Sequence, residues 1–327
     1  MKRRFNNFSI YRIIATLLII EFHISFILSP DAIPYETLLS KAVQGLTALS
    51  GFLYAKKELP DRKKFYLGTL KKLILPAIVC FLFVAIWNLV YLVSTGTDDY
   101  IALFFDRREY NGSLLFQTGN FYYLFFIYIC YLITPLLKNT KAKIPTVITV
   151  VAAELLISFF SGFSIIISAY LVGYLVGERW GSDYTDNVYR PSAIILPSLI
   201  FLLSLGIYAL TVHFDIGESY FSAHIEKLLE NITASAVGTS SFFLVSWILK
   251  PLNSLNCQPF LQYTDRLMLS VFLFNQAFMC GATDVTEFTD LAWLKPILVF
   301  AFTIGAAILT DAVANLLPSI LIRSDKK

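Results

Sequence analysis

Charge is scarce in this sequence. Only 15% of its 327 residues are Asp, Glu, Lys or Arg, where an ordinary soluble domain carries about 25%. So low a share excludes a solvated surface of normal extent. The net charge is only +3, which offers no basic face for a nucleic acid, so none is expected as a partner. Cysteine is thin as well: Cys80, Cys130, Cys257 and Cys280 include no CxxC pair, so neither a disulfide framework nor a thiolate metal site is expected. The three histidines, His23, His213 and His224, lie far apart in the chain, and no metal site is expected from them. There is no P-loop, no dinucleotide-binding glycine fingerprint, no HExxH and no GxSxG. No polar stretch is long enough to fold as a separate soluble domain.

What fills the sequence instead is hydrocarbon. Hydrophobic residues make up 57% of it and the mean hydropathy is +0.66. The apolar residues come in long runs between short polar segments, the pattern of a polytopic membrane protein. Ten spans are predicted, near 9–28, 38–55, 73–94, 119–137, 146–160, 163–178, 192–212, 233–249, 264–281 and 293–317. The fifth and sixth are short and close together, so nine or ten crossings are expected. With a cytoplasmic N-terminus, most of the 26 basic residues fall on inside segments, among them Lys56, Lys57, Lys63, Lys64, Lys141 and Lys143. That asymmetry predicts both termini in the cytoplasm. The start, MKRRFNNF, resembles the front of a signal peptide but is followed by no small-x-small cleavage site, so the run after it is read as a first transmembrane helix. The stretch SYFSAHIEKLLENI, before the eighth span, has helical apolar spacing and predicts an interfacial amphipathic helix. The expected architecture is all-α: one bundle of about ten transmembrane helices over 1–327.

The first span, SIYRIIATLLIIEFHISFIL, carries Arg12, Glu21 and His23, and ionisable groups inside a span are functional candidates by default. Arg12 and His23 stand eleven positions apart. At 100° per residue they fall about 20° from full turns, on one face, with about 16 Å of helix rise between them. Glu21 is on the opposite side from Arg12; it needs a basic partner or a polar group to orient. Arg12 lies near the cytoplasmic end, where a plain alternative is snorkelling to headgroups. A plain alternative for His23 is a hydrogen-bonded place in the bundle. The chemical reading is sharper. A histidine takes a proton from an alcohol and returns it to a leaving group. An arginine stays charged and holds phosphate.

With those residues in place the sequence resembles the acyltransferase-3 family of integral membrane proteins. The family signature, arginine, ten residues, histidine in the first helix, matches YRIIATLLIIEFH at Arg12 and His23. GLTALSGFLYAKK, with Ser50, Gly51 and Phe52, is similar to the end of the family's second helix. KKLILP, with Lys71, Lys72 and Pro76, is similar to the basic entry to the third, and VGYLVGE to the glycine-containing sixth. YYL at 122–124 stands where the family has a tryptophan pattern, and Asn275 of FLFNQ where a histidine is common. Lysines at 71 and 72 keep the charge of the usual arginines but lose the planar fork.

The resemblance implies an O-acyltransferase that moves an acyl group, expected to be acetyl, from acyl-CoA to a hydroxyl of a surface glycan or its lipid-linked precursor. No tightly bound cofactor is implied; acyl-CoA is the donor substrate. His23 and Arg12 are the implied catalytic residues, with Arg12, Lys71 and Lys72 on the donor. Lys71 and Lys72 are equally accounted for by topology. Glu21, Gln44, Asn120, Tyr122, Tyr123 and Asn275 are the substrate-binding candidates. Gln44, Asn120 and Asn275 could equally join helices by hydrogen bonds, and the tyrosines could anchor the interface. Glu154 and Asp311 also lie inside spans and pair in the bundle or serve function. Membrane lipids, the glycan acceptor, a second copy or envelope-synthesis proteins are the expected partners. The rival is a transporter of an amino acid, another small molecule or a glycan. Against it stands the lack of an inverted repeat.

Overall fold

The computed structural model describes residues 5–28, 36–59, 61–96, 121–185, 190–213, 220–254, 258–279 and 284–324. Each predicted span overlaps a helix. These are α1 (Asn6–Leu28), α2 (Ala42–Ala55), α3 (Arg62–Thr95), α4 (Phe121–Lys138) and α5 (Thr140–Ser161), then α6 (Ile167–Thr185), α7 (Ser192–His213), α8 (Tyr220–Ile248), α9 (Gln258–Phe274) and α10 (Leu294–Ser324). Among the described residues between them there are short helical turns and 3₁₀ turns, and no strand. Among the described residues, six helices, α1, α3, α5, α7, α8 and α10, are long and apolar enough to cross a bilayer. The architecture is all-α, with the long apolar helices of a multi-pass membrane protein.

Two boundaries differ from expectation. The predicted interfacial helix and eighth span are one continuous helix, α8. No proline or glycine interrupts residues 220–237, so nothing in the backbone stops the helix between them. The close pair of spans is resolved as two helices, with Gly162 ending α5 at φ 70°, the left-handed conformation of a helix C-cap.

The chain forms two compact units. The first comprises Met1–Phe22, Ile33–Tyr66 and Phe126–Asp265. In it α2 lies along α6, and α8 packs on α2, α5, α6 and α7. Close approach depends on glycine. A Cβ at Gly173 of α6 would stand 2.0 Å from the Ala48 carbonyl oxygen of α2, and one at Gly51 would stand 2.1 Å from that of Tyr170. Gly177 follows one turn later, where a Cβ would meet the Phe52 oxygen at 2.7 Å. Small residues four apart let membrane helices meet backbone to backbone, where dispersion rather than water exclusion holds them. Beside this seam, Phe8, Tyr11, Phe52, Tyr184, Phe242 and Phe243 form a buried aromatic cluster with centroids 4.8–6.4 Å apart.

Glu154, left between a structural and a functional role by sequence, is a cap. Its carboxylate accepts from the backbone N–H groups of Ile166, Ile167 and Ser168 and from the Ser168 hydroxyl, at 2.6–2.7 Å. It meets the open donors and positive dipole end of α6. Asn231 of α8 serves the C-terminal end of α5, donating to the Gly162 and Phe163 carbonyls and to Ser158 Oγ.

The second unit comprises His23–Ala32, Leu67–Phe125 and Arg266–Lys327. There α10 packs on the 3₁₀ turns Gln276–Phe278 and Val285–Phe288. Phe83, Phe274, Phe278 and Phe302 fill the contact. Arg266 of α9 pairs with Asp311 of α10 at 2.7 Å, which gives Asp311 a structural partner.

Candidate active site

The start of α1 is fixed before the site residues appear. Asn6 Nδ2 donates to the Leu252 carbonyl, and Asn7 Nδ2 to the carbonyls of Tyr184 and Ser246. The Asn7 backbone N–H donates to Asn253 Oδ1. These bonds tie the helix to α6, the end of α8 and the turn after it, in the first unit. Arg12 follows little more than a turn later.

Arg12 does not simply reach to headgroups. Its Nη1 donates to Asp265 Oδ1 of α9, and Ser9 Oγ donates to the other carboxylate oxygen at 3.3 Å. Asp265 is largely buried, its side chain 11% exposed against 29% for Arg12. A carboxylate so placed holds the guanidinium in one orientation. The guanidinium has five N–H donors, so the pair leaves capacity for a second anion. Asp265 was missed by the sequence reading; the dipeptide Asp265–Arg266 at the head of an apolar segment marks a charge there but does not report its partner. The two charges go to different partners: Asp265 to Arg12, Arg266 to Asp311.

His23 belongs to the second unit. Gln276 Nε2 stands 3.1 Å from its Nδ1. The amide nitrogen is a donor, so with this contact Nδ1 accepts and the ring proton of the neutral imidazole sits on Nε2. An amide is nearly symmetric in shape. A half-turn about its last torsion presents Oε1 instead, accepting from Nδ1–H and leaving the Nε2 lone pair as a base. The ring nitrogen opposite the chemistry sets which one carries the proton. Gln276 was also missed; it follows Asn275 directly in FLFNQ.

The other candidates are scattered. Glu21 is exposed on α1. Gln44 is buried on α2 in the first unit, and its Oε1 has no hydrogen-bond partner among the described residues. Asn275 is fully buried in the second unit. Tyr123 is buried too, its ring 4.9 Å from that of Phe272, as a packing residue would be. Lys72 is exposed on α3. Asn120 and the side chains of Lys71 and Tyr122 lie outside the described residues. Arg12 and His23 remain on one uninterrupted helix, each gripped by a polar side chain from a distant part of the chain.

A family model described as an acyltransferase domain matches residues 5–313, nearly the whole chain and parts of both units. No curated protein and no solved structure matches it.

Proposed function

The chain belongs to this acyltransferase family, and on that premise we propose that it moves an acyl group from acyl-CoA to a hydroxyl of a cell-surface glycan or its lipid-linked precursor. Acetyl is the simplest such group. The observation that carries the mechanism is the pair of gripped residues on α1. His23, once the Gln276 amide beside its Nδ1 turns so that Oε1 accepts from Nδ1–H, takes the acceptor's hydroxyl proton on Nε2. The acceptor oxygen attacks the thioester carbonyl and forms the new C–O bond. The tetrahedral intermediate expels the CoA sulfur as the C–S bond breaks. The imidazolium returns its proton to that thiolate, so one base serves both halves of the exchange.

Arg12 is better placed to hold the donor than to touch the reacting carbonyl, because about 16 Å of helix rise separates it from His23. Its fork, oriented by Asp265, suits a phosphate of CoA. Lys71 and Lys72 add positive charge to the donor's approach. In this reading both termini face the cytoplasm, some ten helices cross a bacterial plasma membrane, and residues 1–327 act as one catalytic domain.

The assay is release of free thiol from acyl-CoA by the purified protein, with and without a glycan acceptor. Acceptor-dependent release is expected. Arg12→Ala is expected to raise the KM for acyl-CoA by about 10- to 100-fold with a smaller change in kcat, the size of one or two charged hydrogen bonds. Arg12→Lys should recover only part of this, since it keeps the charge and loses the fork. A KM for the donor that does not move in Arg12→Ala would remove Arg12 from the donor site. Movement of acceptor across vesicles with no thiol released would point to transport.

A further inference from the structure

The first unit contains a cleft that none of the candidate site residues lines. Its volume is about 790 Å³, and its walls come from α5, α6, α7 and α8. Along α6 the lining runs from Ser168 to Trp180, where the helix kinks, about 18 Å of helix rise. That exceeds one leaflet of a hydrocarbon core about 30 Å thick, so an acyl chain fits along its full length. The floor is made of small side chains, including Ala169, Ser235, Ala236 and Ser240. The Ser240 hydroxyl is spent on its own helix, donating to the Ala236 carbonyl at 2.6 Å, which leaves the wall apolar.

Inside a bilayer an apolar cleft gains nothing from the hydrophobic effect, since a lipid tail leaves surroundings as apolar as those it enters. Selectivity must come from the polar end. There Asp183 lines the cleft. Arg190 Nε stands 3.5 Å from its carboxylate, and buried Lys250 donates its ammonium to the Asp183 carbonyl at 2.8 Å. With the Arg179 guanidinium 5.5 Å over the Trp180 ring as well, cations outnumber carboxylates among the described residues at this end. The Arg190 side chain is well exposed. Trp180, which also lines this end, is the residue type that settles at headgroup level.

We propose that this cleft is a binding site for one anionic phospholipid, with an acyl chain along α6 and its phosphodiester on Arg190. An excess of cations favours the phosphodiester of an anionic lipid over a zwitterionic headgroup, whose own cation it would repel. The site does not depend on the acyl-transfer reading; it requires only that these helices lie in a bilayer.

The test uses the full-length protein in nanodiscs of phosphatidylcholine containing a small fraction of phosphatidylglycerol with a photoactivatable acyl chain. Crosslinks are mapped by peptide mass spectrometry. Labelling is expected to concentrate on cleft residues such as Val172, Leu196 and Leu199. Arg190→Gln should lower it there about tenfold, the worth of one charged hydrogen bond, and Leu199→Trp, a rim position with room for a larger ring, should lower it by filling the space. Photoactivatable phosphatidylcholine at the same fraction should label the cleft about tenfold less. Even labelling over all lipid-facing helices, equal labelling by the two headgroups, or no response to either variant overturns the proposal. So does displacement of the probe by a much smaller fraction of polyprenyl phosphate, which would make the cleft a seat for a lipid-linked acceptor.

Discussion

Replacing His23 with alanine is expected to lower acyl transfer by about 10²- to 10⁴-fold, the usual worth of a positioned acid–base group. The yield and melting temperature of the purified protein should stay close to the parent's. His23 is only part-buried, so its loss opens no large void and strands no buried charge. Two changes at Gln276 separate catalysis from mere scaffolding. Gln276→Met keeps the shape and removes both hydrogen-bonding ends, and should cost roughly tenfold in kcat. Gln276→Glu presents a carboxylate that can only accept when ionised, so it holds Nδ1–H in the tautomer a base requires and should restore most of the rate. A structural glutamine would respond the other way, tolerating methionine better than a charge. Full transfer by His23→Ala would remove histidine from the mechanism.

Gly173→Val is expected to have the largest effect on the fold. Its Cβ alone would stand 2.0 Å from the Ala48 carbonyl oxygen, a backbone atom that no rotamer change can move. The α2–α6 seam must then part, and with it the contacts of Gly51 with Tyr170 and of Gly177 with Phe52. Overpacking of a rigid interior costs about 1–3 kcal/mol, occasionally more; a contact with backbone belongs at the upper end. The measurement is thermal unfolding in detergent, with Gly206→Ala as the control. A Cβ at Gly206 meets nothing within 4 Å, so that change should be neutral or slightly stabilising through helix propensity. Equal melting of the two variants would mean the seam is looser than its geometry implies.

What the sequence disclosed and what it hid divide along a physical line. The helices were legible because a run of apolar residues long enough for a bilayer has few other folds open to it. Their ends were less so. The segment RKKFYLGTLKK reads as a basic loop by charge, yet it is the first three turns of α3, since lysine and arginine are good helix formers. The stripe of Arg12 and His23 was legible from helical phase alone. Their partners were not. Asp265 and Gln276 each lie 253 positions along the chain from the residue they hold, and no local periodicity reports such a pairing. Glu154 shows the converse. An acid inside a span is a fair functional suspect, and only the position of α6 reveals that its oxygens are occupied by a helix terminus. The glycines of VGYLVGE were visible as a motif, but that their spacing presses α6 against the carbonyls of α2 is a tertiary fact.

The central claim is that α1 carries the donor at Arg12 and the chemistry at His23. An electron cryomicroscopy map of the protein in nanodiscs with an acyl-CoA analogue, its thioester sulfur replaced by methylene, tests it most directly. The account predicts density for a CoA phosphate within hydrogen-bonding distance of the Arg12 guanidinium, with the pantetheine arm running along α1 and the analogue's carbonyl beside His23 Nε2. Density for the analogue on other helices, with Arg12 and His23 both untouched, would contradict it.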